Sequence, residues 1–138
     1  MTTVLTEPLL EIWVPGRPQS VQKSGSKSRY VEQIQNAAKE QIQTPLESPR
    51  IDVEIWFSGP NVSRPHVDNV IKPVPDAFVG VVYVDDRQVR SVRAVAIPSD
   101  DAVSFPARAN AENVLRVLNG KEFLVSVYEG LRLARGAI

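Results

Sequence analysis

The alternation of Ile51, Val53, Ile55 and Phe57 with Asp52, Glu54 and Trp56 is the feature that most restricts the fold. A period of two demands an extended strand with one apolar face turned to a core. A strand cannot stand alone, so the chain must supply partners and a covering layer. The flanking patterns do so. Leu9–Val14 reads as a first strand ended by Pro15-Gly16, and Val89–Ile97 and Phe123–Val127 read as later ones. Val81–Val84 is a short apolar run that reads as a further strand. Between them, Tyr30, Ile34, Ala37, Ala38 and Ile42 recur at helical spacing, which predicts a helix over 29–43 with Ser28 as its N-cap. A second helical stretch spans Asp68–Phe78, interrupted by Pro73 and Pro75, and a third spans Ala109–Leu118, ended by Asn119-Gly120. The order β-α-β-α-β-β-α-β predicts an α/β (α+β) chain: one domain over 1–138, with a mixed sheet packed against two to three helices.

Composition narrows the function classes. The 138 residues are 43% hydrophobic and 23% charged, which is ordinary globular usage. There is no cysteine, which excludes disulfide frameworks, thiolate metal sites and cysteine nucleophiles. No apolar run approaches the ~18 residues of a spanning helix, so the expectation is a soluble, cytoplasmic protein with no membrane partner. Sixteen basic residues balance sixteen acidic ones, which argues against coating nucleic acid through bulk positive charge. The charges are nevertheless sorted along the chain. From Gly16 to Tyr30 lie Arg17, Lys23, Lys27 and Arg29 with no acidic residue, among glycine, serine and glutamine. That composition predicts a flexible basic loop over 16–30. At the other end, the tail over 131–138 reads as peripheral.

The acidic charge concentrates around Arg64–Asp76 and Asp85-Asp86. On a helix, Asp68, Lys72 and Asp76 share one side. In extended backbone His66 and Asp68 point the same way. Asp85-Asp86 closes a short apolar run and can turn back towards that helix. Carboxylates converging in this manner suit a hard cation such as Mg²⁺ or Mn²⁺, and a lysine beside them can neutralise charge on a phosphate. Adjacent acids are also common on solvated surfaces, and a lone histidine in a polar loop is commonly just exposed.

At these residues the sequence resembles the RusA-type crossover-junction endodeoxyribonucleases, the Holliday junction resolvases. The family pattern Asp-x-Asp-Asn-x-x-Lys-x-x-x-Asp-Ala reads here His66-Val-Asp68-Asn69-Val-Ile-Lys72-Pro-Val-Pro-Asp76-Ala77. The following Asp-Asp-x-Gln-Val reads Asp85-Asp86-Arg87-Gln88-Val89. The opening Pro15-Gly16-Arg17-Pro18 is similar to the loop after the first strand in one branch of the family. The resemblance implies a homodimeric, Mg²⁺-dependent nuclease (or one using Mn²⁺) that nicks four-way DNA junctions. It implies Asp68 and Asp86 as metal ligands and catalytic residues, with Lys72 assisting at the scissile phosphate. Asp85 and His66 would join the metal site, and Asp76 and Asn69 would stand behind it. Arg17, Lys23, Lys27 and Arg29 would contact DNA phosphates, which position nucleic acid without reading its sequence.

The chain departs from the pattern twice. His66 stands where the family carries a metal-binding aspartate, which removes one negative charge and substitutes a ligand better suited to Mn²⁺ than to Mg²⁺. Pro75 predicts a bend or a late helix start beside the site. Two other readings fit the same residues: a junction-binding protein whose cleavage the His66 change has weakened or abolished, and a structural or regulatory domain that binds protein.

Overall fold

The computed structural model describes residues 7–16, 24–58, 73–97 and 111–130. Four strands, β1 (Leu10–Pro15), β2 (Ile51–Ser58), β3 (Val89–Ile97) and β4 (Glu122–Glu129), form one sheet in the order β1-β4-β2-β3. β4 runs antiparallel to both β1 and β2, whereas β2 and β3 are parallel. The described helices are α1 (Ser24–Gln41), α2 (Pro73–Phe78) and α3 (Ala111–Leu118). The mixed sheet with three helices is the expected α+β arrangement.

Side-chain alternation divides the sheet into two apolar faces. Ile12, Val14, Val53, Ile55, Phe57, Phe123, Val125 and Val127 share one cluster with Tyr30, Ile34, Ala37 and Ala38 of α1 and Val74, Ala77 and Phe78 of α2. The opposite face carries Trp56, Leu124 and Ile97, packed by Val114 and Val117 of α3 with Trp13 at the margin. β2 is therefore buried on both faces. The alternation predicted one buried face, but Glu54 and Trp56 are buried too. Trp56 donates its indole N–H to a Glu54 carboxylate oxygen at 2.7 Å, so the polar pair is satisfied where it is enclosed. Ser58 at the end of β2 donates to the Val117 carbonyl at 2.6 Å, joining the Gly120 N–H at 3.0 Å on a carbonyl of the last turn of α3.

Two further expectations are corrected, and a third is described only in part. Helix α1 begins at Ser24, so Lys27 and Arg29 lie on a helix and Ser28 lies inside it rather than capping it. Serine, glycine and lysine carry no apolar period, so the pattern was silent there. Adding turns to a helix already anchored by Tyr30 and Ile34 costs far less than starting one. Residues 17–23, the rest of the expected basic loop, lie outside the described residues, as does the 131–138 tail. Val81–Val84 is a turn making isolated bridges, not a strand. The Val81, Val82 and Tyr83 amides all turn back to the Phe78 carbonyl, which winds the chain instead of extending it. The described part of the second helical stretch runs only Pro73–Phe78, with Asp68–Lys72 outside the described residues. Both prolines thus fall in its first turn, where a backbone N–H has no helical partner and its loss is cheap.

Gln41 closes the free edge of β1. Its amide accepts from the Trp13 N–H at 3.0 Å and donates to the Trp13 carbonyl at 3.1 Å, as a neighbouring strand would. Among the described residues no helix is long and apolar enough to cross a membrane. At the same margin, Arg116 of α3 lies 3.9 Å from the Trp13 ring centroid and grips Glu122 with contacts of 2.6 and 2.9 Å.

The hydrogen bond from Arg116 holds the Glu122 carboxyl below the usual glutamate value, burial opposes it, and the guanidinium charge adds to the lowering. A carboxyl depressed on folding stabilises the protein above its unfolded pKa and loses that contribution as pH falls through the lower folded one. Because Arg116 is half exposed, the contribution is below about 1 kcal/mol. Urea titrations of the parent and Glu122→Gln should differ by a constant amount near neutrality. The difference should shrink below about pH 4.3, the ordinary glutamate value. A difference unchanged down to pH 3, about one unit lower, would remove the ion pair as its source.

Candidate active site

Parallel strands cannot be joined by a tight turn, so the chain from β2 to β3 must cross the length of the sheet. That crossover contains the whole acidic segment. Its described part begins with α2, which carries Asp76 on an exposed position while Val74, Ala77 and Phe78 enter the core. The chain then reverses. Gly80 has φ +83°, and its N–H donates to the Tyr83 carbonyl at 2.7 Å. A left-handed backbone there costs glycine little and any other residue more. The reversal returns Tyr83 beneath α2, fully buried and edge-on to Phe78, with ring centroids 6.4 Å apart. The Tyr83 hydroxyl donates to the Pro75 carbonyl in the helix that bears Asp76.

Asp85 follows in extended backbone and caps a single 3₁₀ turn, Asp86–Gln88. Its side chain accepts the Arg87 N–H at 2.9 Å. Gln88 answers from the other end: its carbonyl oxygen accepts the Val84 and Asp85 amides, both at 2.9 Å. The amide nitrogen of Gln88 donates to the Leu46 and Ser48 carbonyls, again at 2.9 Å each. Leu46 and Ser48 lie on the connection leading into β2, and the parallel register pairs Ile51 with Val89 just beyond. The turn is therefore fastened to the start of the neighbouring strand.

The electrostatics follow from this placement. Hydrogen bonding of a protonated Asp86 to the Asp85 carboxylate, then the negative charge of Asp85, favours the proton on Asp86 and raises its carboxyl above the usual aspartate range, and Asp76 adds to the rise. Asp85 is held below that range, first by the Arg87 N–H and then by Asp86. Burial keeps the proton on the Tyr83 phenol, reinforced by the negative charges of Asp76 and Asp86.

His66, Asp68, Asn69 and Lys72 lie outside the described residues, as do Arg17 and Lys23, and the Lys27 side chain is likewise not described. Of the expected site, Asp76, Asp85 and Asp86 are described, Asp76 on α2 and the Asp85–Asp86 pair at the 3₁₀ turn. Arg29 lies elsewhere, lining a cleft of about 770 Å³ with Trp13, Glu32, Gln41, Arg116 and Glu122. That cleft borders β1, at the sheet edge opposite β3. Among the described residues no three acidic or imidazole side chains form a metal-ligating group. The Asp85–Asp86 pair nevertheless fits a hard divalent cation: it is exposed, offers only oxygen, and carries mutual repulsion that a cation relieves. Magnesium commonly takes one or two carboxylates and completes its shell with water and phosphate.

Two structurally important residues had no assigned role in the sequence reading. Gln88 stands three residues after Asp85, the spacing of a capping box, and that signal was available. Tyr83 gave no signal, since an aromatic residue among valines reads simply as core.

A model of the endodeoxyribonuclease RusA family matches residues 16–104, well over half of the chain, and the protein belongs to that family. The matched segment contains α1, β2, the crossover and β3. No curated protein matches the chain.

Replacing Gly80 with alanine should destabilise the fold by about 1–2 kcal/mol, the cost of a left-handed backbone for an L-residue. The urea midpoint measures it, and an unchanged midpoint would show that the turn relaxes without strain.

Proposed function

We propose that the protein is a metal-dependent endonuclease that cuts four-way DNA junctions by hydrolysing one phosphodiester per active site. Membership of the endodeoxyribonuclease RusA family is the observation that carries this reading. The adjacent Asp85 and Asp86 carboxylates, strained by mutual repulsion, support it. Asp86 and Asp68 would hold Mg²⁺ or Mn²⁺, with Asp85 and His66 contributing. When bound, such a cation supplies Lewis-acid polarisation and a more acidic water. Lys72 would stabilise charge on the phosphate, and Asp76 and Asn69 would orient the groups around it. Arg17, Lys23, Lys27 and Arg29 would contact the DNA backbone. A homodimer suits the reaction, because a two-fold protein places two active sites symmetrically on a four-way junction.

A second reading, binding without cutting, is favoured by one residue: His66 stands where the family pattern has an aspartate. Synthetic four-way junctions incubated with the protein in Mg²⁺ and in Mn²⁺ separate the two. The expected result is paired nicks, with cleavage lost in Asp68→Asn and Asp86→Asn while junction binding persists. Tight binding with no nicks in either metal would give precedence to the second reading, and no DNA binding at low salt would exclude both. His66→Asp should shift the preference towards Mg²⁺. If the parent already cuts equally well in Mg²⁺ and the variant gains nothing, the histidine is no handicap.

A further inference from the structure

We infer that Gln88 and Tyr83 are positioning residues that set where the Asp86 carboxylate stands relative to Asp76. The inference rests on the reading of Asp86 as a metal-binding carboxylate and goes beyond it by assigning the residues that aim it.

A 3₁₀ turn of three residues has little stability of its own. Within it the backbone supplies the Gln88 N–H to the Asp85 carbonyl at 3.1 Å and the Val89 N–H to the Asp86 carbonyl. The remaining fastening comes from side chains. The Gln88 amide makes four hydrogen bonds, two accepted inside the turn and two donated to the connection before β2. It therefore shapes the turn and fixes it to the sheet with one planar group. Tyr83 works from the opposite side. Its ring is immobilised in the core and its hydroxyl holds the Pro75 carbonyl, one residue before Asp76. Val82 and Leu46 add a backbone bond of 2.6 Å between the same two segments. That bond survives loss of either side chain, so variants at Gln88 and Tyr83 should loosen the turn without dismantling the fold.

Chemistry explains why a glutamine is needed. Glutamate at 88 keeps the acceptor but loses both donors and adds charge beside two carboxylates. Methionine keeps the length and removes all four bonds. Tyr83→Phe deletes the hydroxyl alone and preserves the packing.

The test measures Mn²⁺ affinity of the DNA-free protein by calorimetry alongside junction cleavage for Gln88→Met, Gln88→Glu, Tyr83→Phe and Asp86→Asn, with circular dichroism monitoring the fold. Loss of groups that orient a ligand typically costs roughly 10–100-fold, and that fall is expected both in Mn²⁺ affinity and in kcat for Gln88→Met and Tyr83→Phe. KM for the junction should stay within about twofold, since no DNA contact is removed. Parental Mn²⁺ affinity and kcat in Tyr83→Phe and in folded Gln88→Met, while Asp86→Asn loses both, would overturn the positioning role alone. A raised KM with unchanged kcat would overturn it too, by making these residues DNA contacts. If Gln88→Met does not fold, Tyr83→Phe decides the matter. Should Asp86→Asn itself retain Mn²⁺ binding and cleavage, the metal-site reading of Asp86 fails instead.

Discussion

The parallel pairing of β2 with β3 is the constraint on which the rest depends. Two parallel neighbours oblige the chain to leave the end of β2 and return to its start. The return brings Gln88 beside Leu46 and Ser48. Had β3 paired antiparallel through a short hairpin, Asp85-Asp86 would lie at the other end of the strand, far from that connection. The antiparallel partners β1 and β4 complete a sheet whose central strand, β2, is covered on both faces. Rigidity in β2 is thereby passed to the turn that precedes β3.

Like-charged groups held close store unfavourable energy that a solvated surface would release by letting them separate. Here the Asp85–Asp86 turn is closed by a capping box and fastened to the sheet. The raised proton affinity of Asp86 follows from that closeness. The tethers fix the backbone of the turn and the Asp85 carboxylate within it, while the Asp86 carboxylate stands exposed beside it.

How much was legible can be judged residue by residue. The Ile51–Phe57 alternation and the Tyr30–Ile42 stripe identified a strand and a helix correctly, because the residues facing the main core recur with the period of each element. The helix start did not show, because residues 24–28 are serine, glycine and lysine and carry no apolar period. Val81–Val84 misled for the reverse reason: four apolar residues fit a strand, but the Phe78 carbonyl captures their amides and Gly80 permits the reversal. Asp76, Asp85 and Asp86 drew attention through their pattern and Arg29 through a basic run, but only the structure places Arg29 beside β1, at the sheet edge opposite β3. Charge type is written in sequence, but position across a sheet depends on strand order.

The balance of sixteen acidic and sixteen basic residues illustrates the same division. The sequence by itself determined the elements whose periodicity reflects burial, the absence of thiol chemistry, and the motif spacing that leads to the RusA family. Only the tertiary structure decided the strand order, the burial of both faces of β2, and the contacts by which Gln88 and Tyr83 hold the Asp85–Asp86 turn and α2. The physical reason is range. Periodicity and capping act between residues a few positions apart, whereas the bonds from Gln88 to Leu46 and Ser48 span some forty positions and exist only once β2 and β3 lie side by side.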